Sequence, residues 1–225
     1  MKKMWTLILI SIFIATLNGC AVNFYKGKPE QAAKIKQLTS QVEDLELAKR
    51  LLEDRLSQEI ADKQVLLERT NRGLIITMAN DILFDSGKAK LKSDAHSMLS
   101  KIATVLNENV ADRDVGVEGH TDNVPIKHSG WKSNWELSTA RATSVLHYLI
   151  DECGVLPQRL SAIGYGEYRP VDTNETRGGK SNNRRVEIII LPKEMTKKSY
   201  EEAQSKASEE AKTAEETKVS EEATK

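Results

Sequence analysis

Asp122 and Arg141 are the residues whose types and spacing best suit binding chemistry. Asp122 ends a short apolar stretch, Val115, Val117 and Gly119 leading into His120-Thr121-Asp122, that reads as a strand. Arg141 follows in the second turn or so of a helix that starts near Asn134. A strand–loop–helix connection folds such residues against each other. The pair then either closes as a structural salt bridge or stays open to hold a ligand that carries both charges. The guanidinium takes a carboxylate through a fork of two hydrogen bonds, a geometry lysine lacks. Spacing alone leaves both readings open.

Other chemistries find less support. His120 with Asp122 has no second His or Cys at ligand spacing, so no metal is expected. Ser138 lacks a His–Asp partner pair, and Gly178-Gly179-Lys180 is too short for a phosphate loop. His96, His128 and His147 are scattered and suit surface or core roles. Trp131 and Trp135 either cover a pocket rim or pack the loop between strand and helix. One carboxylate beside a cation suits holding a ligand, so the expectation is a non-catalytic protein without cofactors. Lys+Arg and Asp+Glu number 33 each, which gives no general attraction to nucleic acid.

These residues need a scaffold. Gly73 to Met78 reads as a strand, and Ile82-Leu83-Phe84 is a short apolar run leading into the turn Asp85-Ser86-Gly87. A helix is expected over about 93–107, with Ala95, Leu99, Ile102 and Leu106 on one face and Ser93 as cap. A second helix over about 134–152 carries Leu137, Ala140, Val145, Tyr148 and Leu149 on its packing face. Ser133 and Glu136 suit a capping box there. Residues 160–164 and 185–191 read as two more strands. Strand, helix, strand, helix, strand, strand predicts an α/β sandwich with helices packed on a sheet.

The flanks differ. Met1-Lys2-Lys3 and an apolar run to Leu17 form a secretory signal, shorter than the roughly 20 residues a spanning helix needs. Leu17-Asn18-Gly19-Cys20 resembles the lipobox of bacterial lipoproteins, which implies acylation at Cys20. Ala21 after that cysteine points to the outer membrane, where multiple acyl chains anchor stably. Cys153, the only other cysteine, reads as a half-buried thiol. From about Glu30 to Thr70, Ile35, Leu38, Val42, Leu45, Leu52, Leu56 and Leu66 follow a heptad seam with gaps. That segment is either a coiled coil, making a homo-oligomer, or a single solvated spacer. Beyond Pro192 the chain is mostly Lys, Glu, Ala, Ser and Thr, too polar to order itself in isolation. The expected organisation is signal 1–19, linker 20–29, helical spacer 30–70, domain 71–192 and charged tail 193–225.

Four motifs occur in order: Gly119-His120-Thr121-Asp122, Asn134-Trp135-Glu136-Leu137-Ser138-Thr139-Ala140-Arg141-Ala142, Gly164-Tyr165-Gly166 and Asn183-Arg184-Arg185-Val186-Glu187. The segment from about Leu74 to Leu191 resembles OmpA-like domains, the peptidoglycan-binding module shared by OmpA, Pal and MotB. The Asn-Trp-Glu-Leu-Ser block looks most like the MotB type. The resemblance implies a βαβαββ sandwich with a mixed sheet, facing the periplasm. It implies that Asp122 takes the ammonium and Arg141 the carboxylate of diaminopimelate in a peptidoglycan stem peptide. Thr121 and Asn134 would line the pocket, Arg184 would reach its edge, and Phe84 and Asp85 would border it, while Arg185 reads as structural. The implied function is a tether between outer membrane and cell wall. The alternatives are the wall anchor of a larger envelope machine, such as a motor or secretion apparatus, and a wall-modifying enzyme.

Overall fold

The computed structural model describes residues 29–193, residue 128 excepted. The expected signal segment, the lipidation site Cys20, His128 and the tail beyond Lys193 lie outside the described residues. No helix among the described residues is long and apolar enough to cross a membrane.

Helix α1 (Pro29–Arg55) is followed by a short helix α2 (Ser57–Ala61). A hairpin of β1 (Val65–Thr70) and β2 (Gly73–Ala79) leads into a single helical turn, α3 (Asn80–Leu83). Then come α4 (Ser93–Glu108), β3 (Val115–His120) and α5 (Asn134–Asp151). The described residues finish with β4 (Leu160–Gly164), the short helix α6 (Arg177–Asn183) and β5 (Arg185–Ile190). The five strands form one mixed sheet in the order β1-β2-β5-β3-β4. β3 and β4 are parallel, joined across α5 as a parallel pair requires, and the other pairings are antiparallel.

Alternation along the strands explains the layers. Leu74, Ile76 and Met78 of β2, Val115 and Val117 of β3, and Val186, Ile188 and Ile190 of β5 share one core with α4 and α5. The four leading apolar positions of α4, Ala95, Leu99, Ile102 and Leu106, are fully buried. The capping expectations need correction. Lys92, not Ser93, is the cap of α4. Ser133 caps α5 without a side-chain bond, and Glu136 accepts instead from the Lys132 backbone N–H. Ala140 and Tyr148 are half-buried, whereas Ser138 and Ala142 are fully buried.

The largest departure is the spacer. The expected helix over 30–70 stops at Arg55, and residues 65–70 form the edge strand β1. Leu45, Ala48, Leu52 and Leu56 are buried in the core of the unit formed by Gln41–Lys193. Polar ties reinforce this docking: Arg69 bonds Glu46 at 2.6 Å, and the buried Arg113 pairs with Asp44 at 3.0 Å. Of the expected seam, Ile35, Leu38, Val42 and Leu66 are exposed. A heptad stripe and the apolar stripe of a helix lying on a sheet share their spacing, so periodicity did not separate them. The strand hid because Val65-Leu66-Leu67 continues the leucine-rich pattern without a Gly or Pro break.

Candidate functional site

A cavity of about 660 Å³ opens where β3 ends, α5 begins and β5 starts. Phe84, Thr121, Asp122, Asn134, Arg141 and Arg184 all line it, so six of the seven expected residues converge from separate segments. Asp85 is not among the lining residues; its carboxylate turns to Lys88 at 3.0 Å, which holds it below its ordinary pKa.

Close backbone contact positions the helix. A Cβ on Gly119 of β3 would lie 2.1 Å from the Ser138 carbonyl oxygen, and one on Gly164 of β4 would lie 2.2 Å from Thr139 Oγ1. Only glycine lets α5 sit this low on the sheet, which brings Asn134 and Arg141 to the ends of the strands. Asn134 is pinned by donating to the Asp122 and Val124 carbonyls at 3.3 and 3.1 Å and to Glu167 at 2.8 Å. Trp131 donates to the Gly87 carbonyl at 2.9 Å, tying the 123–133 loop to the turn after Phe84.

Of the two readings left open for Asp122 and Arg141, the direct salt bridge does not form. Asp122 Oδ2 accepts from Arg184 at 2.7 Å, and Oδ1 accepts from the Val124 backbone N–H at 3.1 Å. Arg141 makes no such pair with Asp122. Its Nε donates to the Lys88 carbonyl at 2.9 Å, and its guanidinium lies 5.3 Å from the Phe84 ring centre. Arg141 is 3% exposed, and burial together with the nearby Arg184 cation pushes its pKa down to about 10, despite the attraction of Asp122. Among the described residues, neither terminal nitrogen of Arg141 has a hydrogen-bond partner. Thr121 Oγ1 and Asn80 Oδ1, both on the cavity wall, are buried without partners there. Buried polar groups are ordinarily satisfied, and here unpaired polar atoms gather on one cavity wall. Val124, Pro125, Ile126 and Leu137 add an apolar wall.

Sequence reasoning missed Asn80, the Lys88 carbonyl and Glu167. None lies in a motif with charged spacing, and all reach the site through tertiary folding. Asn80 carried one weak signal, a polar residue at the end of an apolar strand.

On the opposite face of the sheet, Glu118 and Glu187 sit opposite each other on β3 and β5, both buried. Arg72 bonds Glu118 and lies 3.5 Å from Glu187, while Arg185 donates to Glu187 at 2.7 Å. Arg185 is thus structural in its contacts, as anticipated. His120 lies 3.8 Å from Glu118 and 3.9 Å from Glu187, and these three are the one group among the described residues spaced to hold a cation. Two guanidiniums already neutralise the two carboxylates, which disfavours a metal.

The sequence model of the OmpA family matches residues 83–184. Motility protein B of Bacillus subtilis (strain 168) is 40% identical over 151 residues, 67% of this chain and 58% of that protein. The probable lipoprotein YiaD of Escherichia coli (strain K12) is 36% identical over 140 residues, 62% of this chain and 61% of that one. Among solved structures, the cell wall anchor of the T6SS from Pseudomonas aeruginosa superposes with a TM-score of 0.57 at 34% identity. That likeness covers 63% of this chain and 97% of the anchor. The chain therefore carries an OmpA-family domain over residues 83–184. It spans about three-fifths of the length of these two curated relatives.

Proposed function

We propose that this protein is a non-catalytic peptidoglycan-binding lipoprotein that ties the outer membrane to the cell wall. The observation that carries the reading is the cavity's pairing of a partly engaged carboxylate with an open guanidinium. Arg141 receives the carboxylate at the far end of diaminopimelate in a stem peptide, and Asp122 shares itself between Arg184 and the ligand's ammonium. Thr121 and Asn134 frame the polar end, and Phe84 lies beside the aliphatic part. Arg184 tempers the negative charge of Asp122, so the net positive site favours a ligand with a carboxylate to offer.

The family membership and the likeness to a cell wall anchor support wall binding. The likeness to a probable lipoprotein supports acylation at Cys20. Lipid at one end and many identical wall sites at the other would make modest single-site affinity effective. The exposed Ile35, Leu38 and Val42 support contact with a second copy through the first half of α1, not through the whole of 30–70. The second reading, an anchor within a larger envelope machine, is favoured by the likeness to motility protein B and to the T6SS anchor; it uses the same wall grip.

Co-sedimentation of the full-length chain with purified sacculi tests the grip. The unaltered protein should pellet, and Asp122→Ala should weaken binding at least about thirtyfold, the loss of one partner of a desolvated charge pair. Equal binding by both would end the proposal. Released muropeptides in the same incubation would reveal an enzyme instead.

A further inference from the structure

Trp135 and Tyr168 lie beside the cavity and are not used by the grip described above. Their rings stack with centroids 5.1 Å apart and planes 22° from parallel. Trp135 is 47% exposed and Tyr168 65%, an unusual display for large aromatic rings already stacked on each other. Gly166 packs near the Trp135 ring, at 3.6 Å from the position its missing Cβ would take. Trp135 is therefore backed by Gly166 and capped by Tyr168, which leaves the outer part of Tyr168 to solvent.

The platform is rigidly joined to the cavity. Trp135 follows cavity-lining Asn134, and Tyr168 follows Glu167, which accepts from Asn134 at 2.8 Å. The loop beneath is held at several points. Gly166 accepts from the Thr121 N–H at 2.9 Å and donates to Ser138 Oγ at 2.9 Å, and Tyr165 donates to Gly119 at 3.0 Å. Behind the loop, Arg169 lies 3.7 Å from the centre of the Tyr165 ring.

We propose that Trp135 and Tyr168 form a saccharide subsite, which takes the glycan strand bearing the stem peptide held in the cavity. This rests on the peptidoglycan reading and extends it to a second part of the same ligand. A flat apolar ring matches the C–H face of a pyranose, and weak C–H contacts to an aromatic face suit a sugar whose hydroxyls stay wet.

Isothermal titration of the full-length chain in detergent tests this with two probes. One is the free diaminopimelate-containing tripeptide; the other is the same peptide on an N-acetylglucosamine–N-acetylmuramic acid disaccharide. The unaltered protein should bind the disaccharide-peptide about five- to tenfold more tightly, the scale of one aromatic contact. Tyr168→Ala should erase that advantage and leave tripeptide affinity unchanged, while Tyr168→Phe retains it. No sugar advantage in the unaltered protein, or an advantage that survives Tyr168→Ala, refutes the subsite and leaves the grip intact. Equal weakening of both probes by Tyr168→Ala also refutes it. Failure of the unaltered protein to bind the tripeptide refutes the grip itself, and with it this extension.

Discussion

At the scale of single residues, Arg141 costs the fold what it offers a ligand. Its pKa, pushed down to about 10 by burial, means the cation is harder to hold in the folded protein than in the unfolded chain. A depressed base carries this penalty in full at any pH below its folded pKa, and at neutral pH it amounts to about 3 kcal/mol. A ligand carboxylate would relieve it. Arg141→Met, which keeps the apolar stem near Phe84, should therefore melt no lower than the unaltered protein while losing sacculus binding. Thermal denaturation beside co-sedimentation measures both, and a large drop in melting temperature would mark Arg141 as a structural cation instead. Asp122 behaves differently. It is bonded to Arg184 and to its own loop, so its removal leaves cations facing each other and is expected to lower stability as well as binding.

At the scale of elements, α1 and α5 matter most. The second half of α1 is part of the domain's core, as the full burial of Leu52 and Leu56 shows. Leu52→Ala should lower the free energy of unfolding by about 2–5 kcal/mol, the usual penalty for a cavity left by a buried leucine. Urea denaturation of the full-length chain reads this directly; a helix that merely spaced membrane from domain would show no change. A fragment begun at residue 71 would lack β1 and these leucines, so it is a poor reagent for binding work. For α5, the close approach at Gly119 and Gly164 sets the helix height on the sheet, and through it the position of Asn134 and Arg141.

At the scale of the whole molecule, one sheet carries two polar arrangements on opposite sides of the same strand ends. Asp122 and Arg184 border the cavity, while their neighbours His120 and Arg185 belong to the buried Glu118–Glu187 cluster. Burial raises the Glu118 pKa, but His120 and Arg72 beside it outweigh burial and hold it below its ordinary 4.5. A carboxyl depressed in the fold contributes stability that is present above pH 4.5 and lost as pH falls through the lower folded value. Glu118→Gln should therefore be less stable at neutral pH, and the gap should narrow as the medium is acidified below that point. Denaturant midpoints measured across pH 7 to about 3 test this; a gap constant with pH would show that Glu118 gains no charge-dependent stability. Because the cluster braces the strand ends that present Asp122 and Arg184, acid sensitivity should extend to wall binding.

The amino-acid sequence by itself determined the periodic elements and the ordered motifs. Four of the five strands and both long helices of the sandwich were legible, because one-sided burial writes a period of about 3.6 or 2 into a chain. The motifs named six residues that do meet at one cavity. The tertiary structure alone decided partners. It gave Asp122 to Arg184 and left Arg141 open, recruited Asn80 and Glu167, and folded half of the apparent spacer into the core. The reason is physical: periodicity records which face of an element avoids water, whereas pairing of charges depends on ångström-scale distances between segments far apart in the chain.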